Sequence, residues 1–193
     1  MEVAGAQTVD DVARESGGSR RRWAVRSGLV LALLAVGLVG WTWRHPSAFP
    51  DAGGWGMEYR NLSSAAPLYV GMTFPQPDTD DVIDVRSARA HVVDASGRQI
   101  ESVALVCTLR STQDSAIGSG DEAMVRQTCS SVVPAEGISM HLGREHGQQL
   151  VLAVTASGSG SVVIEGMDVT YRHGLQLGTQ RVGGTLKLST PGA

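Results

Sequence analysis

The residues of this 193-residue sequence that could do chemistry fall into a few short groups. His141-Leu142-Gly143-Arg144-Glu145-His146 brings two imidazoles and a carboxylate close together, near the zinc-binding pattern H-x-x-E-H. One residue too many separates His141 from Glu145, and Gly143 weakens the helix that such a pattern requires. Met140, Met167 and His173 add soft ligands of the kind that hold copper outside the cytoplasm, but at no fixed spacing. Surface-loop histidines are therefore expected, with no metal assigned to His141 or His146. Asp78, Asp80 and Asp81 cluster as calcium ligands do, yet the loop pattern D-x-[DN]-x-[DN]-G is absent and a solvated acidic turn is the simpler reading. Ser159 has glycine immediately on both sides, which is not the G-x-S-x-G of a nucleophile elbow. Asn61-Leu62-Ser63 fits a glycosylation acceptor and has meaning only in a host that glycosylates such sites. No catalytic residue, metal ligand or cofactor follows from these groups.

Cys107 and Cys129 are the two cysteines, both at expected strand positions whose neighbours point inward. A pair outside the cytoplasm normally oxidises, so a disulfide between Cys107 and Cys129 is expected. No C-x-x-C spacing suggests redox catalysis.

The composition limits the partners and the fold class. Sixteen Lys+Arg against nineteen Asp+Glu give a net charge of -3, without the basic footprint that neutralises phosphates, so nucleic acid is not an expected partner. A hydrophobic fraction of 42% with 18% charged residues excludes wholesale disorder. Twenty-four glycines with 5% aromatics point to many turns between short strands.

Hydropathy divides the chain. Residues 23–43 read WAVRSGLVLALLAVGLVGWTW, with Arg26 as the only charge. As a helix this stretch would reach roughly 31 Å, about the thickness of a bilayer's hydrocarbon. Trp23 at one end and Trp41 and Trp43 at the other are placed to sit at the headgroups. Arg14, Arg20, Arg21, Arg22 and Arg26 precede the apolar centre and Arg44 alone closely follows it, which puts the N-terminus in the cytoplasm. The run ends without an A-x-A cleavage pattern, so a signal anchor is preferred to a cleaved signal peptide. Ser19-Arg20-Arg21-Arg22-Trp23 also fits the start of a twin-arginine signal, but arginines before any inner-membrane helix produce the same match. Gly28, Ala32 and Ala35 would share one face of the helix, a weak sign of pairing with another. Residues 1–22 read as a disordered cytoplasmic tail and 44–65, rich in Gly and Pro, as a juxtamembrane linker in which Trp55 and Tyr59 face either the membrane or the domain.

Residues 66–193 show short apolar runs divided by turn signals, the pattern of a β-sandwich. Strands are expected at 68–74, 83–93, 100–109, 125–133, 150–155, 162–171 and 185–188, about seven in all. The inward side switches near Arg86, where a bulge would account for it. Asp94-Ala95-Ser96-Gly97 is expected to close a hairpin, with Val103, Leu105, Cys107 and Leu109 on one face of its second strand. No amphipathic helix of ten residues follows the membrane segment, which argues against an α/β enzyme.

The order of a tryptophan-flanked helix, a Gly/Pro linker, Leu68-Tyr69-Val70-Gly71 with the acidic stretch, and the strand pair around Ser96-Gly97 continues into Val169-Thr170-Tyr171-Arg172-His173-Gly174 ahead of Gly178-Thr179-Gln180. In this it resembles uncharacterised single-pass membrane proteins of actinobacteria with an extracytoplasmic β-sandwich. The resemblance spans most of residues 23–188; it implies location and fold, and carries no catalytic residue.

The expectation is thus an all-β, immunoglobulin-like sandwich of about seven strands behind one transmembrane helix. It would sit in the cell membrane through residues 23–43 and act as a protein-interaction or structural module of the envelope, without catalysis. The alternative is a small-ligand or metal-binding ectodomain. On the strand from Met167 to Tyr171, Asp168, Thr170 and Arg172 should project as a polar row and form the contact surface for an envelope or membrane protein.

Overall fold

A computed structural model describes residues 30–41, 47–50, 54–60, 66–111 and 116–189. The chain forms two units, Met1–Trp43 and Arg44–Ala193. In the first, residues 30–41 are helical (α1) and every one of them is exposed. These residues are the centre of the apolar stretch, and Ala32 and Ala35 lie among them. Residues 23–29 and 42–43, the tail 1–22 and Gly28 lie outside the described residues. Among the described residues no helix is long and apolar enough to cross a membrane.

The second unit is an all-β sandwich. Its strands are β1 (Gly56–Arg60), β2 (Leu68–Gly71), β3 (Val82–Ser96), β4 (Gln99–Leu109), β5 (Ser119–Gly120), β6 (Cys129–Pro134), β7 (Ser139–His141), β8 (Gln148–Ser157), β9 (Ser161–His173) and β10 (Gln176–Ser189). One sheet has the order β1-β10-β9-β3-β7 and the other β5-β2-β8-β4-β6. Between them lies a core of alternating inward residues, among them Val70, Ile83, Val85, Val106, Leu150, Leu152, Ile164, Val169, Tyr171 and Leu186. Period-2 alternation in sequence produces this directly, since every second side chain of a half-buried strand meets the opposite sheet.

Asp94–Gly97 does not close a hairpin. β3 pairs with β9 and β7, whereas β4 pairs with β8 and β6. The chain crosses from one sheet to the other at Gly97-Arg98, and β8 and β9 cross back beside it at 158–160. The β3–β9 ladder ends at Ser96↔Ser161 and the β4–β8 ladder begins at Gln99↔Ser157. A two-stranded ribbon therefore folds over the sandwich edge. Gly160 permits this with φ +124°, and a Cβ there would stand 1.9 Å from the Ser96 carbonyl oxygen.

The bulge expected near Arg86 is present, as a register shift between Val85 and Ser87 against Tyr171 and Thr170. Other expectations change. Residues 44–65 are not wholly a linker, because Gly56–Arg60 forms β1 in parallel register with Thr185–Ser189. Met57 and Tyr59 pack on the core, as Trp55 does just before them, which places all three against the domain. Val125–Thr128 is not strand. Asp121 caps a helix, α2 (Glu122–Thr128), accepting a hydrogen bond from the Met124 amide, and the strand begins only at Cys129. The strand count rises from seven to ten among the described residues, the additions being the short pieces β1, β5 and β7.

Cys107 and Cys129 are bonded, with 22 residues of sequence separation. Their environment differs from the expectation. The face of β4 carrying Leu105, Cys107 and Leu109 does not join the core between the sheets. It packs with Cys129, Ile117, Val125 and Val151 in a second apolar cluster. That cluster stops short of Val103, which stays 53% exposed.

Candidate interaction face

On β9, Met167, Val169 and Tyr171 are buried and turn inward, so Asp168, Thr170 and Arg172 project from the opposite side, as their alternation requires. The structure ties each of the three to an adjacent strand. Asp168 accepts a 2.8 Å hydrogen bond from Arg181 Nε on β10 and lies 2.9 Å from His91 Nδ1 on β3. Thr170 and Thr179 pair their hydroxyls at 2.9 Å. Arg172 reaches Asp84 Oδ2 on β3 at 3.2 Å, and Asp84 also accepts a hydrogen bond from Ser139 on β7 at 2.6 Å. Strands β7, β3, β9 and β10 are thereby linked on the outer face of their sheet by side chains as well as by the backbone ladder. Cross-strand pairs of this kind fix rotamers and hold a surface in one shape.

The electrostatics follow from these pairs. Burial pushes the Asp168 carboxyl up, but the hydrogen bonds and charges of Arg181 and His91 outweigh it and hold the group below the usual carboxylate range. Asp84 is also held low, first by the Ser139 hydrogen bond, with burial opposing and Arg172 assisting. Because folding lowers the pKa, this stabilisation is in place above the ordinary carboxylate range. It is lost as pH falls through the folded-state value. The Asp168 side chain is 39% exposed, so its contribution is below about 1 kcal/mol. The expected result is a melting temperature that falls as pH drops below about 4, and falls less steeply in Asp168→Asn. Parallel acid limbs for the two proteins would contradict the assignment.

The other groups are dispersed. His141 and His146 stack with ring centroids 3.9 Å apart, with Glu145 3.2 Å from His146 Nε2. His173 pairs instead with Asp81 at 3.3 Å. Met140 and Met167 are core side chains. Among the described residues no three His, Cys, Asp or Glu side chains are grouped as a metal site requires. Ser159 is exposed in the crossing between β8 and β9, and Asn61 lies outside the described residues. A shallow cleft of about 390 Å³ opens beside β1, lined by Trp55, Met57, Glu58, Thr185 and Lys187 among others.

Two amides escape a reading of alternation alone. Gln149 is fully buried and Gln180 lies at the strand parity of Val182. A glutamine in register with apolar neighbours, Val151 for Gln149 and Val182 for Gln180, is the signal for both, because a carboxamide taken out of water needs partners. No protein-family model, curated protein or solved structure matches the chain.

Proposed function

We propose that this chain is a single-pass protein of a bacterial envelope whose sandwich stands outside the cytoplasm and works by contacting another envelope or membrane protein. The layering is immunoglobulin-like in this reading, with two mainly antiparallel sheets and connections that cross between them. The observation that carries the proposal is the outer face built on Asp168, Thr170 and Arg172. Its side chains are cross-linked over four strands, and a surface fixed before contact loses less side-chain entropy on binding. The apolar stretch 23–43, with α1 at its centre, supports the anchor, and the arginines before it support a cytoplasmic N-terminus. The Cys107–Cys129 bond supports an oxidising compartment.

One experiment addresses location and contact together. Intact spheroplasts carrying the chain are treated with an impermeant crosslinker, and a parallel sample with external protease. Protease should remove the sandwich and leave the tail, and a specific crosslinked protein should be recovered. Changing Asp168, Thr170 and Arg172 together to alanine should reduce that recovery while the chain still melts cooperatively. Undiminished recovery would exclude this face, and a sandwich protected from protease would exclude the topology.

The cleft beside β1 favours a second reading, a small-ligand domain. Trp55 and Met57 line it together with Glu58 and Lys187, so apolar surface lies beside two charged side chains. Saturable quenching of tryptophan fluorescence that disappears in Trp55→Phe would move the assignment to this site.

A further inference from the structure

Ala48 and Phe49 are 7% and 3% exposed, although they precede the first strand and belong to no ladder. All four of their backbone polar groups are met by side chains distant in sequence. The Ala48 N–H donates to Tyr171 Oη at 2.9 Å, and Gln76 Nε2 donates to the Ala48 carbonyl at 3.0 Å. The Phe49 N–H donates to Gln180 Oε1 at 3.1 Å, and Gln180 Nε2 donates to the Phe49 carbonyl at 2.6 Å. Tyr171 Oη in turn donates to Gln180 Oε1 at 3.2 Å, closing the network. The Phe49 ring stands edge-on to Tyr171, centroids 5.5 Å apart and planes at 89°.

This division of labour is that of a peptide site. Fixed polar groups read the main chain, which every sequence offers, while one apolar pocket reads one side chain. We propose that Gln76, Tyr171 and Gln180 form a peptide-binding slot for a segment in which a small residue precedes an aromatic one. The chain's own Ala48-Phe49 occupies it in this structure. Both Tyr171 and Gln180 lie on the side of β9 and β10 opposite Asp168 and Thr179, so the slot is separate from the outer face and stands or falls independently of it. A tethered ligand acts at an effective concentration in the millimolar range, so even a weak site is filled in cis and opens to a competitor when the tether is weakened.

The test uses the full chain in detergent micelles and a fluorescein-labelled peptide with the sequence of residues 44–51. Phe49→Ala removes the cis ring and leaves the slot. The variant should bind the peptide saturably, and the unmodified chain should bind it at least about 100-fold more weakly because its own segment competes. Adding Gln180→Ala should weaken binding by about 10-fold or more, and a peptide with alanine for phenylalanine should not bind. A Phe49→Ala chain that melts cooperatively with its disulfide intact yet binds no peptide overturns the proposal, as does binding indifferent to Gln180→Ala. If Phe49→Ala does not fold, hydrogen exchange of the unmodified chain decides. A releasable segment exchanges its Ala48 and Phe49 amides about 100-fold or more faster than the inner amides of β9. Exchange of both only with global unfolding overturns the proposal.

Discussion

Replacing Cys107 and Cys129 together by alanine is expected to destabilise the sandwich by about 3 kcal/mol, lowering its melting temperature by roughly 6–12 °C. The bond closes a loop with 22 residues of sequence separation, and opening it returns that loop's entropy to the unfolded chain. The effect is not confined to the unfolded state. Both cysteines are nearly inaccessible, and the bond lies in a small cluster with Ile117, Val125 and Val151, away from the main core. Serine in place of alanine should cost more, since two hydroxyls would enter that cluster without assured partners. Thermal melts of the variant and of the reduced protein give the check. A variant that melts within about 2 °C of the unmodified chain would remove the bond from the sandwich's main supports.

Gln149→Leu should be comparably damaging. Gln149 is fully buried on β8. Its Oε1 accepts the Ile117 N–H and its Nε2 donates to the Ile117 carbonyl, both at 2.8 Å. The carboxamide thus does for Ile117 what a neighbouring strand would do. Leucine has nearly the same volume and no polar atom, so two buried backbone groups lose their partners at about 1–3 kcal/mol each. A loss of roughly 2–5 kcal/mol in chemical denaturation is expected. Gly71→Ala provides an independent probe of the same spot, because a Cβ there would lie 1.9 Å from the Ile117 carbonyl oxygen and 2.2 Å from Gln149 Nε2. If Gln149→Leu unfolds at the denaturant concentration of the unmodified chain, the amide pair contributes nothing.

Much of the architecture was legible because long strands leave a local signature. β3, β4, β8 and β9 are apolar-rich runs of ten residues or more bounded by glycine or acidic turns, β9 alternates along most of its length, and the parity switch at Arg86 marks the bulge of β3. Features that depend on distant partners were hidden. Gly56–Arg60 has the look of a Gly-rich linker until Thr185–Ser189 lies alongside it. Asp94–Gly97 suits a hairpin or a crossing equally, and the choice belongs to β8 and β9, which pair with the two strands in different sheets. On β4 both faces are apolar, so alternation alone could not tell that Cys107 turns toward α2 while Val106 turns to the core. The start of α2 carries a local signal, Asp121 followed by Glu122, a cap and a first-turn acid ahead of Val125. The outward orientation of Asp168, Thr170 and Arg172 follows from alternation along β9, but their partners His91, Arg181, Thr179 and Asp84 come from β3 and β10 and can be paired with them only once the strand order is known.

The parallel pairing of β1 with β10 also sets how the sandwich bears a mechanical load. Gly56 opens the pair opposite Thr185, and Arg60 closes it opposite Ser189. A pull between the chain before Gly56 and the chain after Ser189 runs along both strands in opposite directions. All five registered positions are then strained together in shear, whereas an antiparallel pair pulled from its open end would peel one bond at a time. Forced unfolding is governed by the unfolding barrier rather than by equilibrium stability. The short edge strand β1 is thus a clasp, resisting tension between the two ends of the domain out of proportion to its length.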